Sequence, residues 1–142
     1  MKKTAIGLSA GLLLGGGAIH DTPQGLVQAG KAGHSFCAAA SFTQTVSQIE
    51  SQLQRCFGLG IREMYAGTSH SYIERFNNPD GSVMLASATR ANWHLFYQLV
   101  VEIRPTDRCP AYVDVYGMSD AWLDTSRLVE DWTKGLGLDR CD

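Results

Sequence analysis

Between His94 and Arg104 the chain alternates. Leu95, Tyr97, Leu99, Val101 and Ile103 are uniformly apolar, and between them stand His94, Phe96, Gln98, Val100, Glu102 and Arg104. A period of two sustained over this length marks a β-strand with one buried face. Such a strand cannot stand alone. It needs neighbours to satisfy its backbone and a second layer to cover its apolar side.

The neighbours follow from the flanking sequence. Segment 71–76 is short and β-prone, Asn77-Asn78-Pro79-Asp80-Gly81 is a turn by composition, and 82–88 continues as strand. After the long strand, 105–109 turns again and 111–117 gives the last strand; 61–66 adds a candidate edge strand. Connections this short predict an antiparallel meander. Two helices supply the cover. Phe42, Val46, Ile49, Leu53 and Phe57 form one helical stripe, with Ser41 and Gln44 as a capping box and Gly58 and Gly60 as the stop. Ser119 and Asp120 open a second helix, whose apolar face is Trp122, Leu128, Val129 and Trp132 and which ends at Gly135. The predicted fold is α+β: a two-layer α/β sandwich with a meander of about four strands, in the order α-β-β-β-β-α. It forms a single domain over 41–142. Segment 19–40, rich in Gly and Ala, is expected to be an irregular lead-in.

The first residues carry an address. Lys2 and Lys3 precede an uncharged, mostly apolar run to Ile19, and Gly16-Gly17-Ala18 places small residues where a signal peptidase would cut, after Ala18. Met1-Lys2-Lys3-Thr4-Ala5-Ile6 resembles the Sec leaders of Gram-negative outer-membrane proteins, a resemblance confined to the leader that implies export. The competing reading is a retained anchor, since Gly7, Gly11 and Gly15 form a ladder used by associating membrane helices. However, residues 4–19 would make only about 24 Å of helix, short of the roughly 20 residues a span requires. A signal peptide over 1–18 is therefore expected, and a membrane partner only through an uncleaved leader. Its removal takes two lysines and leaves 124 of the 142 residues, with net charge −4 in place of −2. Neither value suits nucleic acid, which requires a basic surface.

Export bears on Cys37, Cys56, Cys109 and Cys141. An even count in an oxidising compartment, periplasmic or extracellular, reads as two disulfides. A last strand followed by a returning helix would bring Cys141 back beside Cys109, so that pair is expected. The 41–57 helix holds Cys56 too far from Cys37 for those two to bond to each other, and their partners stay open. Metal binding has little support: there is no Cys-x-x-Cys or His-x-x-x-His, and the closest pair is His34 with Cys37. No cofactor motif is present either.

Two classes of function remain. His70, between Ser69 and Ser71 and near Glu74, could be drawn as a general base of a small hydrolase-like enzyme. A polar strand start is the plainer explanation. Asp120 and Asp124 read as helix capping and solvated charges, and Trp122 and Trp132 as core. The second class rests on the outward side of the strands, which carries Phe96, Gln98, Val100, Tyr112, Asp114 and Tyr116. Aromatic rings among polar groups are the composition of a binding surface, although they also suit exposed strands as cross-strand pairs, and the lead-in or a second copy could cover them. The expected protein is thus a non-enzymatic, disulfide-bonded exported module that binds a protein or cell-envelope component through its sheet face. A concave cluster of polar groups would favour the enzyme instead.

Overall fold

The computed structural model describes residues 20–29, 32–64 and 67–142; the leader lies outside them. Six strands form one antiparallel sheet: β1 (Ala32–Ala38), β2 (Gly60–Met64), β3 (Gly67–Asn77), β4 (Val83–Ala91), β5 (His94–Arg104) and β6 (Ala111–Gly117). Their spatial order is β1-β6-β5-β4-β3-β2, so β2 to β6 run as the expected meander and β1 closes onto β6 at the far edge. Three α-helices stand among the described residues: α1 (Pro23–Gln28), α2 (Phe42–Phe57) and α3 (Leu123–Thr133).

The α-β-β-β-β-α core of the prediction is present as α2, β3 to β6 and α3, and of the expected edge strand 61–66 the residues up to Met64 lie in β2, while 65 and 66 fall outside the described residues. Helix α2 starts as its sequence dictates, with Ser41 Oγ accepting the Gln44 N–H at 3.2 Å. Ser119 does not cap: its hydroxyl makes no bond to the helix, and a 3-10 turn over Asp120–Trp122 leads into α3. Val46, Ile49 and Leu53 of α2 meet Leu128, Val129 and Trp132 of α3 over Leu85, Leu99, Val101, Ile103, Val113 and Val115. That layer is the main core. Trp132 is fully enclosed, with its indole N–H donating to Gly137 O at 3.1 Å.

The lead-in is not irregular. Thr22 Oγ1 accepts from Gly25 N–H at 3.0 Å and Pro23 fills the first turn, which sets up α1. Segment 32–38 is an edge strand pairing Phe36 with Val113 and Cys37 with Tyr112. Its alternation places Phe36 and Ala38 in the main core and leaves Ser35 and Cys37 on the outer face. At Gly33, where the β1–β6 register shifts, α3 comes so close that a Cβ would stand 2.7 Å from the Cβ of Ser126.

This added strand overturns the expected Cys109–Cys141 bond. Cys37 lies one strand from Cys109 and bonds to it, with Cα atoms 5.8 Å apart. The tail beyond α3 turns through Gly135 and Gly137, at φ 74° and 60°, a left-handed backbone that glycine adopts freely. It runs to the C-terminal end of α2. There Arg140 O accepts from the Arg55 guanidinium at 2.9 Å and Cys141 bonds Cys56, with Cα atoms 5.4 Å apart. The helix does return along the sheet, but the tail beyond it doubles back along α2, past Gln48 and Gln52, and carries Cys141 to the far end of that helix, away from Cys109.

Candidate functional site

Which side chains reach the outer face depends on one irregularity. Ser87 pairs with Leu99 but Ala88 pairs with Tyr97, so Gln98 is the extra residue of a β-bulge. A bulge reverses the side assignment of everything beyond it. Leu99, Val101 and Ile103 point into the main core as expected. Leu95 and Tyr97, expected beside them, instead join the opposite face, and Phe96 and Gln98 turn to the helix side. Gln98 is fixed there: its Nε2 donates to Thr89 Oγ1 at 2.8 Å, its Oε1 accepts from Ser87 Oγ at 3.3 Å, and Ser71 and Thr89 hydroxyls bond at 3.0 Å. The sequence signal for this was the hydroxyl row itself, because Ser87 and Thr89 sit among apolar neighbours and require a polar partner.

Val100 does face outward, yet it is fully buried. Leu26 of α1, 1% exposed, forms a second apolar cluster with Met84, Ala86, Ala88, Tyr97 and Val100. The helix is held because β6 ends at Gly117, opposite Leu99. Below that point β5 has no strand on its β6 side, and the Tyr97 N–H donates to His20 O at 2.9 Å instead. The Tyr97 hydroxyl donates to Glu74 at 2.6 Å, and burial together with that carboxylate pushes the phenol's pKa up.

Of the six expected binding residues, the structure keeps Tyr112, Asp114 and Tyr116 together on the outer face, with Glu102 and Arg104 of the outward alternation of β5 beside them, and adds Ser35 of β1. Asp114 is the centre. It is 8% exposed, accepts from Ser35 Oγ at 2.5 Å on one oxygen and pairs with Arg104 at 2.8 Å on the other. Arg104 also lies over the Tyr112 ring, 5.1 Å from its centroid. Glu102 is the cross-strand neighbour of Asp114. Partial burial, reinforced by the Asp114 charge and opposed by Arg104, holds the Glu102 carboxyl above its usual range. Burial, with the Asp114 and Glu102 charges behind it, likewise raises the Tyr116 phenol. Tyr112 and Tyr116 are half-buried, so each offers one side of a ring to solvent.

His70 is placed differently from the hydrolase reading. It is exposed on β3, and strand alternation sends the flanking Ser69 and Ser71 to the opposite face. Its ring leans on Tyr72, centroids 5.2 Å apart, while Glu74 is taken by Tyr97. Three concavities, of about 230, 160 and 270 Å³, lie by the start of α3, between α2 and Arg75, and along the polar side of α2. None of the three is lined by a histidine. Asp120 and Asp124 are exposed, the latter 3.6 Å from Arg127. Trp122 is half-buried against Phe57 rather than in the core. Among the described residues no three His, Cys, Asp or Glu side chains gather as metal ligands would. His34, the sequence's nearest neighbour to a cysteine, instead bonds Glu130 at 2.6 Å.

No protein-family model, curated protein or solved structure matches this chain.

Proposed function

We propose that the protein is an exported, non-enzymatic module that binds a protein or cell-envelope component through the open half of its outer sheet face. Two disulfides, and the absence among the described residues of any helix long and apolar enough to cross a membrane, fit a periplasmic or secreted setting. The observation that carries the reading is the partial cover. Helix α1 occupies the half of the face over Val100 and leaves Tyr112, Tyr116, Arg104 and Glu102 around Asp114 uncovered by any helix among the described residues. Arg and Tyr on a preorganised base are the groups that dominate protein recognition. Arg104 is already oriented by Asp114 and Tyr112, which lowers the ordering cost of binding.

The test uses the exported protein as bait for envelope extract of its host. Tyr116 packs against the α1 cluster, so Tyr116→Phe is the appropriate change there, while Tyr112→Ala and Arg104→Ala alter groups that hold no core. Capture of a component by the parent and its loss in the Tyr112→Ala, Arg104→Ala variant, with an unchanged circular dichroism spectrum, is the expected result. Capture indifferent to both changes would place the binding surface elsewhere.

A further inference from the structure

We infer that the β4–β5 hairpin tip, led by Trp93, seats the protein on the interface of an anionic phospholipid bilayer. Ala91 pairs with His94, so Asn92 and Trp93 form a two-residue turn, with Asn92 at φ 55°. Trp93 is 98% exposed, whereas the other exposed large hydrophobic side chains lie between 37% and 56%. The tip also runs beyond β6, with β3 beside it: Ser69 pairs with Ala91 and β3 continues to Gly67. Since β6 stops opposite Leu99, β5 extends past it for about 17 Å at 3.4 Å per residue.

The surroundings of the ring are basic and polar. Arg90 and His70 face each other across β3 and β4, and both are exposed, as is His94. Segments 68–73 and 86–98 contain no acid; β2 contributes one base and one acid, Arg62 and Glu63. Glu74 is engaged by Tyr97, and the exposed Asp21 follows His20 on the β5 side of the tip. A tryptophan with an arginine beside it is the pairing that settles at a bilayer interface, ring among headgroups and cation against phosphate.

A second observation points to the same pole. His20 O accepts the Tyr97 N–H at 2.9 Å, so the described chain begins four residues from Trp93 along β5, about 13 Å. The N-terminal end of the described chain and the exposed indole thus share one end of β5. A protein partner fits this tip less well. A stable interface needs roughly 800 Å² on each side, and one ring on a two-residue turn offers no such surface, while a headgroup layer requires none. This contact is independent of the outer-face reading and of whether the leader is kept.

The test is intrinsic fluorescence and flotation of the exported protein with phosphatidylglycerol vesicles. The expected result is a blue shift and quenching by brominated acyl chains, both lost in Trp93→Ala. Vesicle affinity should fall about tenfold in Trp93→Ala and recover partly in Trp93→Phe, because an aromatic ring leaves water. Arg90→Gln should cost about fivefold on phosphatidylglycerol and nothing on phosphatidylcholine. A retained leader would bind vesicles in every variant, but it would leave no Trp93-dependent quenching. Quenching by brominated chains that is unaffected by Trp93→Ala overturns the proposal. So does the absence of any shift, or a Trp93-dependent complex with a soluble protein and none with lipid.

Discussion

Replacing Leu26 with alanine tests whether segment 20–29 belongs to the fold. Leu26 is 1% exposed and lies in a cluster with five buried side chains of β4 and β5. A buried Leu→Ala change costs about 2–5 kcal/mol in lost transfer energy and residual cavity. The lower part of that range applies, because α1 has six residues and can undock without unfolding the sheet. Its remaining attachments are the buried Pro23, the partly buried Val27 and the His20–Tyr97 hydrogen bond. The expected loss is therefore about 2–3 kcal/mol, which moves the urea midpoint down by roughly 1–2 M. Amide exchange separates local release from global destabilisation. If α1 lets go, exchange at Tyr97 N–H accelerates by about 30–150-fold, while Val101 N–H in the middle of the sheet keeps its protection. If the cost is carried by the whole fold, both accelerate. A midpoint unchanged within about 0.3 M, with no change at Tyr97, would refute the docking of α1, and Val100 would then belong to an open face.

Non-reducing peptide mapping should recover Cys37 linked to Cys109 and Cys56 linked to Cys141, and replacing either pair by alanines should cost about 2–4 kcal/mol. A peptide joining Cys109 to Cys141 would remove β1 from the sheet. Glu102→Gln should raise the urea midpoint at pH 7. A carboxyl held above its unfolded value destabilises the native state above the folded pKa, and that cost disappears as pH falls below the unfolded value. The gain should therefore vanish near pH 4, and a gain independent of pH would exclude the charge as its source.

The elements legible from sequence are those whose information is local. The α2 stripe with its Ser41 cap, the turn at 77–81, the meander of short-linked strands and the apolar face of α3 each depend on residues within a few positions of one another. Periodicity and capping chemistry report on such residues directly. Of the outer face, Tyr112, Asp114 and Tyr116 were legible for the same reason, since β6 alternates without interruption. Phe96 and Gln98 were not. A bulge is a property of two strands in register, and β5 alone contains no residue that announces it; only the hydroxyls of Ser87 and Thr89, on the neighbouring strand, demand the Gln98 amide. Thr22-Pro23 is a helix start that the Gly- and Ala-rich composition of 19–40 obscured, and nothing nearby says that Leu26 must seal Val100, 74 positions later. That contact exists because β6 is too short to pair with the lower part of β5, which leaves both a backbone donor and an apolar surface to be met. The disulfides follow the same division. An even cysteine count implied two bonds, and helix length excluded Cys37 with Cys56. The choice among the rest required knowing that β1 closes the sheet beside β6. Sequence thus determined the local elements and the apolar side of α2, α3 and β6, because short-range sterics and solvation act residue by residue. Tertiary structure decided the bulge, the N-terminal cover and the cysteine partners, because each joins groups distant along the chain whose meeting depends on how every intervening strand is paired.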